Sequence, residues 1–89
     1  MKLIEIKISG KVQGVFFRHS AKMKADALGL AGFARNEGDG AVCLEAEGDE
    51  ENLQNFLEWC RKGPPSAKVA QVEFSFTGQV GTFPDFEIR

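Results

Sequence analysis

Eighty-nine residues make one small domain, 1–89, which buries roughly 60–65% of its unfolded surface, so the 43% apolar content with eight Phe and one Trp must be used economically. Eleven basic and thirteen acidic residues, mixed along the chain, leave a net charge of −2; that balance sets up no field for a polyanion and excludes nucleic acid as the default partner. No apolar run approaches the ~20 residues that span a bilayer, and the opening MKLIEIKISG alternates charged with aliphatic residues as a strand does and a signal peptide does not, so no membrane partner and a cytoplasmic location are expected.

The first element is a half-buried strand over Lys2 to Ser9, with Ile4, Ile6 and Ile8 on one face and Leu3, Glu5 and Lys7 on the other. A glycine-punctuated loop follows. His19 to Leu30 then reads as a helix, with Ala21, Lys24, Ala25 and Leu28 in its buried stripe and Gly29 and Gly32 closing it. Phe33 to Asn36 is a short strand, EGDG (37–40) holds the Asp-Gly of a tight hairpin, and Ala41 to Glu47 alternates again, Val42, Leu44 and Ala46 against Cys43, Glu45 and Glu47. In GDEENLQNFLEWCRKG, Asp49 is a suitable N-cap, Glu50 and Glu51 occupy the first turn, and Arg61 and Lys62 occupy the last before Gly63; Leu53, Phe56, Leu57 and Cys60 form the apolar stripe of this second helix. GPPS breaks the chain. Lys68 to Thr77 is a strand with Ala70, Val72, Phe74 and Phe76 on one face, and a looser GQVGTFPD leads into a short terminal strand, FEIR.

The order β-α-β-β-α-β plus a short last strand defines an α+β, ferredoxin-like sandwich, in which an antiparallel sheet carries both helices on one face and leaves the other open. This arrangement puts Cys43 and Cys60 on opposite sides of the sheet, so two free thiols are expected rather than a disulfide. No CxxC is present and the single His is remote from both, so no metal site is expected.

Many unrelated functions share this topology, so function must be sought in the loop GKVQGVFFR (10–18). It joins a strand to a helix, where the first N–H groups of the helix lack partners. Gly14 can adopt a positive φ, the N–H groups from Val15 to Arg18 can converge as a nest, and a guanidinium at Arg18 matches two oxygens of a phosphoryl group. The stretch is not a Walker A loop, and no GxGxxG occurs. By spacing alone it fits two descriptions: a structural turn followed by a surface arginine, which is the commoner, or an anion cradle.

GKVQGVFFR resembles the signature loop of the acylphosphatases. GFARNEGDGAV (32–42) resembles the second stretch of that family's pattern, with glycine, aromatic, asparagine and a glycine-containing hairpin in order, and similarity continues through EGDEENLQNFLEWCRKGPPSAKV to the F-x-I ending. The resemblance covers essentially the whole chain. It implies metal-independent hydrolysis of an acyl phosphate to a carboxylate and inorganic phosphate, with no cofactor. It also implies that Arg18 and the loop residues Gln13, Gly14, Val15, Phe16 and Phe17 hold the phosphate, and that Asn36 orients the attacking water. Phe16 stands where a small residue is frequent in the family, which is expected to alter the loop's packing more than its chemistry.

His19 is expected to be a helix-start or surface residue directed away from Arg18. No strong base is evident, so the substrate's own phosphate oxygens are expected to accept the water's proton. Glu45 and Glu47 read as charges on an exposed sheet face rather than an acid/base pair. An RNA-recognition module of the same topology would need aromatic residues where Leu3, Glu5, Lys7, Cys43, Glu45 and Glu47 stand. An anion-sensing module without turnover, or a domain detached from a larger maturation protein, remain as rival readings; the polar alternation of the strands leads us to expect a monomer.

Overall fold

The computed structural model describes residues 1–78, 81 and 83–89. Its elements are β1 (Lys2–Lys11), α1 (Phe17–Ala27), β2 (Ala31–Asn36), β3 (Val42–Gly48), α2 (Glu50–Lys62), β4 (Lys68–Thr77) and β5 (Phe86–Ile88). They build the expected ferredoxin-like sandwich around one sheet of order β4-β1-β3-β2-β5. Its first four strands each run antiparallel to their neighbours, and β5 finds its partner in β2, parallel to it, which makes the sheet mixed.

The register explains the core. Ile4, Ile6 and Ile8 of β1 lie opposite Ala46, Leu44 and Val42 of β3, so the aliphatic face of each strand points to the same side. On that side they meet Phe17, Ala21 and Ala25 of α1 and Leu53, Phe56, Leu57 and Cys60 of α2, all buried. Each large side chain so buried contributes about 1.5–3 kcal/mol of transfer free energy. Aromatic rings join the layers: Phe56 meets Phe86 edge-on at 5.8 Å and Phe17 meets Trp59 at 5.4 Å. No described helix is long and apolar enough to cross a membrane.

Several boundaries depart from the sequence expectation for identifiable reasons. Helix α1 starts at Phe17, two residues before His19, because the Phe17 ring is a core residue and the Ser20 N–H already donates to Phe16 O at 3.0 Å. It ends at Ala27, where Leu28 N–H is shared between the Lys24 and Ala25 carbonyls and Gly29 N–H donates to Asp26 O, a tightened last turn; Gly32 belongs to β2. The β2–β3 hairpin holds the expected Asp39-Gly40 within a three-residue loop, 38–40: Gly40 N–H donates to Glu37 O at 3.2 Å, with Gly38 and Asp39 as the central pair, and Glu37 N–H donates to Ala41 O at 2.8 Å. Asp49 occupies the N-cap of α2, yet its side chain makes no capping hydrogen bond.

In β4 the register against β1 slips between Ser9 and Gly10, which pair with Gln71 and Val69. This bulge leaves Ala70 over as an exposed extra residue and turns Val69 toward the core in its place, with Val72 and Phe76 as expected. Phe74 shares their face but remains largely exposed on this edge strand, under the Arg61 guanidinium of α2.

The face opposite the helices is not fully open. Leu3, Phe33 and Glu47 on that side are buried. The Phe83 ring meets Phe33 edge-on at 5.9 Å, its N–H donates to Glu47 Oε1 at 3.1 Å, and the Arg89 guanidinium lies 4.2 Å above the Phe33 ring. Glu47 is therefore a buried partner of the chain returning toward β5, not an exposed surface charge. Of the stretch read as loose (78–85), residues 79, 80 and 82 lie outside the described residues. Cys43 and Cys60 are both free and sit on opposite sides of the sheet, as expected.

Candidate active site

The loop between β1 and α1 alternates inward and outward. Val12, Val15 and Phe17 are buried and anchor it, whereas Gly14 and Phe16 face outward with φ of 75° and 62°. A positive φ is easy for Gly14 and unusual for Phe16, the one non-glycine residue with such a value among the described residues. Phe16 is 79% exposed, so it does not repack the loop as expected from sequence; it places an aromatic ring in solvent.

Past Phe16 the chain enters α1 with no side chain capping the helix and no acidic residue in its first turn. The first turn of α2, by contrast, carries Glu50 and Glu51. The N–H groups of Phe17, Arg18 and His19 precede the first bond of α1, that of Ser20, and together with the helix dipole they favour an anion at this end. Arg18 adds a guanidinium. One of its nitrogens, Nη1, donates to the main-chain oxygen of Arg89 at 2.8 Å, which fixes the group against the strand-end of β5 and directs its remaining N–H groups.

A cavity of 280 Å³ opens over this turn, lined by Val12, Gly14, Phe16, Phe17, Arg18, His19, Asn36 and Ile88. Arg18 and Asn36, eighteen positions apart in the chain, thus share one concave surface. Asn36 reaches it because it is the last residue of β2, next to the hairpin, and the hairpin is tied to the loop. That tie is Gln13, whose Nε2 donates to Glu37 O at 2.7 Å and to Ala41 O at 2.9 Å, the two ends of the turn.

Of the residues expected to hold phosphate, Gly14, Phe16, Phe17 and Arg18 line the cavity. Gln13 and Val15 do not: the amide of Gln13 is committed to the hairpin and the Val15 side chain to the core. Any part they take in binding falls to their main-chain N–H groups. Sequence reasoning overlooked four features. His19, expected to turn away, is exposed but lines the cavity beside Arg18. Ile88 also lines the cavity, half-exposed; its place on the face it shares with Phe86 follows from alternation, a signal too short in three residues to be read without knowing the strand's partner. The Gln13 clamp and the Arg89 contact with Arg18 span 24 to 28 and 71 positions and leave no local signal at all.

The hairpin beside the site is held electrostatically. Lys7 Nζ donates to Asp39 Oδ2 at 2.9 Å, and Asp39 Oδ1 accepts the Ala41 N–H at 3.0 Å; these bonds hold the Asp39 carboxyl below its ordinary range. A hydrogen bond from Cys43 likewise lowers Glu37. Burial first, and the Glu37 carboxylate next, push the Cys43 thiol up to about 11, and burial raises Cys60 further. Among the described residues no group of His, Cys, Asp or Glu is placed to hold a metal ion.

Fold and site together describe a small α+β sandwich with a cavity over an uncapped helix start at a strand-to-helix junction. The comparisons place it more narrowly. The acylphosphatase family model matches residues 4–88. An acylphosphatase of Methylococcus capsulatus is 44% identical over 88 residues, 99% of this chain and 96% of that one. The crystal structure of acylphosphatase from Bacillus subtilis superposes with a TM-score of 0.97 at 37% identity, covering 100% of this chain and 99% of that one. HypF of T. kodakarensis contains a similar unit, TM-score 0.85 at 31% identity, which covers all of this chain but 12% of that protein. The chain belongs to the acylphosphatase family.

Proposed function

We propose that this chain is an acylphosphatase enzyme that hydrolyses acyl phosphates without a metal or cofactor, holding the phosphoryl group on the loop 13–18 and Arg18 and the attacking water on Asn36. The observation that carries the reading is that Arg18 and Asn36, from the two separate family-like stretches, line one cavity over a helix start that no side chain caps.

In this reading the phosphoryl oxygens accept from the N–H groups of the first turn and from the guanidinium. Water bonds to phosphorus through its oxygen. The bridging P–O bond breaks, its electron pair leaves with the carboxylate, and the water's proton passes to a phosphoryl oxygen, giving carboxylate and dihydrogen phosphate. A carboxylate leaving group needs no strong acid, and a loose phosphoryl transition state needs mainly positioning and electrostatic stabilisation, which this cavity supplies. His19 lines the cavity, but no step requires it. The reading includes a monomeric protein of one domain, 1–89, working in the cytoplasm without nucleic acid; the balanced charge and the polar outer positions of the strands support it.

Hydrolysis of benzoyl phosphate in EDTA and 18O-labelled water tests the reaction. Turnover with the label in phosphate is expected. No turnover, label in benzoate, or activity that returns only with added metal would overturn it; phosphate binding without turnover would favour an anion-sensing module.

A further inference from the structure

Among the described residues five large apolar side chains are exposed: Met1, Phe16, Met23, Phe74 and Ile88. Two of these five, Phe16 at 79% and Ile88 at 42% exposure, line the cavity that holds Arg18 and Asn36. They come from opposite ends of the chain, one from the turn before α1 and one from β5, so local sequence does not explain the coincidence. Phe16 is also held at φ 62°, a conformation a residue with a Cβ rarely adopts, and its ring gains little packing there. An exposed aromatic ring beside a polar site provides contact area to a ligand at low entropic cost.

The chemistry of the lining completes the argument. The guanidinium, the helix start, His19 and the Asn36 amide form the polar part; Val12, Phe16, Phe17 and Ile88 form the apolar part; among the described residues no Asp or Glu side chain lines the cavity. An acyl phosphate divides in the same way, into a charged phosphoryl end and an acyl end. With the phosphoryl group on Arg18, the acyl substituent extends toward the apolar rim. We propose that Phe16 and Ile88 form an acyl-selecting rim, so that the protein prefers acyl phosphates with an aromatic or bulky apolar substituent over those with a small one. This assignment rests on the hydrolytic reading above and names its substrate class.

The experiment compares kcat/KM for benzoyl phosphate with that for acetyl phosphate in the unmodified protein and in Phe16→Ala, Phe16→Leu and Ile88→Ala. The benzoyl-to-acetyl ratio in each variant, divided by that of the unmodified protein, cancels the intrinsic reactivity of the two anhydrides. Losing an apolar contact of this size costs on the order of 10-fold in discrimination. The ratio is therefore expected to fall about 10-fold in Phe16→Ala and about 3-fold in Ile88→Ala, with Phe16→Leu retaining most of it. Circular dichroism checks that each variant folds; Phe16→Gly, which relieves the positive φ while removing the ring, replaces Phe16→Ala if that variant does not. Variants that slow both substrates equally, or an unmodified protein that prefers acetyl phosphate, would overturn the rim while leaving the hydrolytic reading intact. Absence of turnover on both substrates by the unmodified protein would bring down the hydrolytic reading and the rim with it.

Discussion

Gln13→Ala removes two hydrogen bonds, at 2.7 and 2.9 Å, that join the cradle loop to the two ends of the β2–β3 turn. A neutral hydrogen bond contributes roughly 0.5–1.5 kcal/mol net, and more when its loss strands a buried partner. Here neither carbonyl is stranded, because Glu37 O keeps the Gly40 N–H and Ala41 O keeps the Glu37 N–H. The lower half of the range therefore applies, and the pair is worth about 1–2 kcal/mol. In a domain of this size that lowers the melting temperature by about 5–15 °C. Asn36 stands immediately before Glu37, so a slack hairpin also lets its amide drift, and kcat is expected to fall on the order of 10-fold with a smaller change in KM. Gln13→Glu is the sharper variant: nearly the same shape, but a carboxylate that only accepts, aimed at two carbonyl oxygens. It should melt below Gln13→Ala, as followed by circular dichroism with benzoyl phosphate kinetics in parallel. A Gln13→Glu protein that melts and turns over like the unmodified one would refute the clamp.

Three further expectations concern the rest of the fold. The Asp39 carboxyl is depressed by Lys7 and the Ala41 N–H, so its stabilisation is fully present above its ordinary value of 3.8 and is lost as pH falls through the lower folded value. Urea unfolding at neutral and strongly acid pH should show less acid loss in Asp39→Asn than in the unmodified protein; equal losses would contradict the assignment. Because burial and Glu37 push the Cys43 thiol up to about 11, and Cys60 is buried, neither should react quickly with a thiol reagent near pH 8 in the folded protein, whereas both should react in guanidinium. Gly32→Ala would place a Cβ 1.9 Å from Glu45 O at a φ of 151°, so we expect a loss of about 3 kcal/mol or more in denaturant unfolding.

Period and punctuation made the element order legible, because the apolar positions of β1 and β3 alternate and α2 carries charges matched to its dipole. They failed where a tertiary contact outweighed the local pattern. The Phe17 ring drew the start of α1 back by two residues, and a bulge at Ser9/Gly10 reversed the facing of Val69 and Ala70. Arg18 and Asn36 could be named because each lies in a recognisable stretch, and the cavity does join them. The parts played by their supports could not be read. Gln13, Ile88 and the Arg89 contact act through pairings distant in sequence, and β5 gave three residues, too few to show which strand it would join. Glu47 misled for a related reason: alternation put it on the outer face correctly, but nothing local showed that Phe83 would return to cover it.

The most direct test of the central claim is steady-state hydrolysis of benzoyl phosphate in EDTA by Arg18→Ala and Asn36→Ala beside the unmodified protein, each checked for folding. Removing one preorganised donor to the reacting group typically costs on the order of 10²–10³ in rate. Loss of the Arg18 guanidinium should lower kcat/KM by at least that factor and weaken competitive inhibition by inorganic phosphate, whereas loss of the Asn36 amide should lower kcat while phosphate inhibition persists. Folded variants that keep the activity of the unmodified protein would contradict the account.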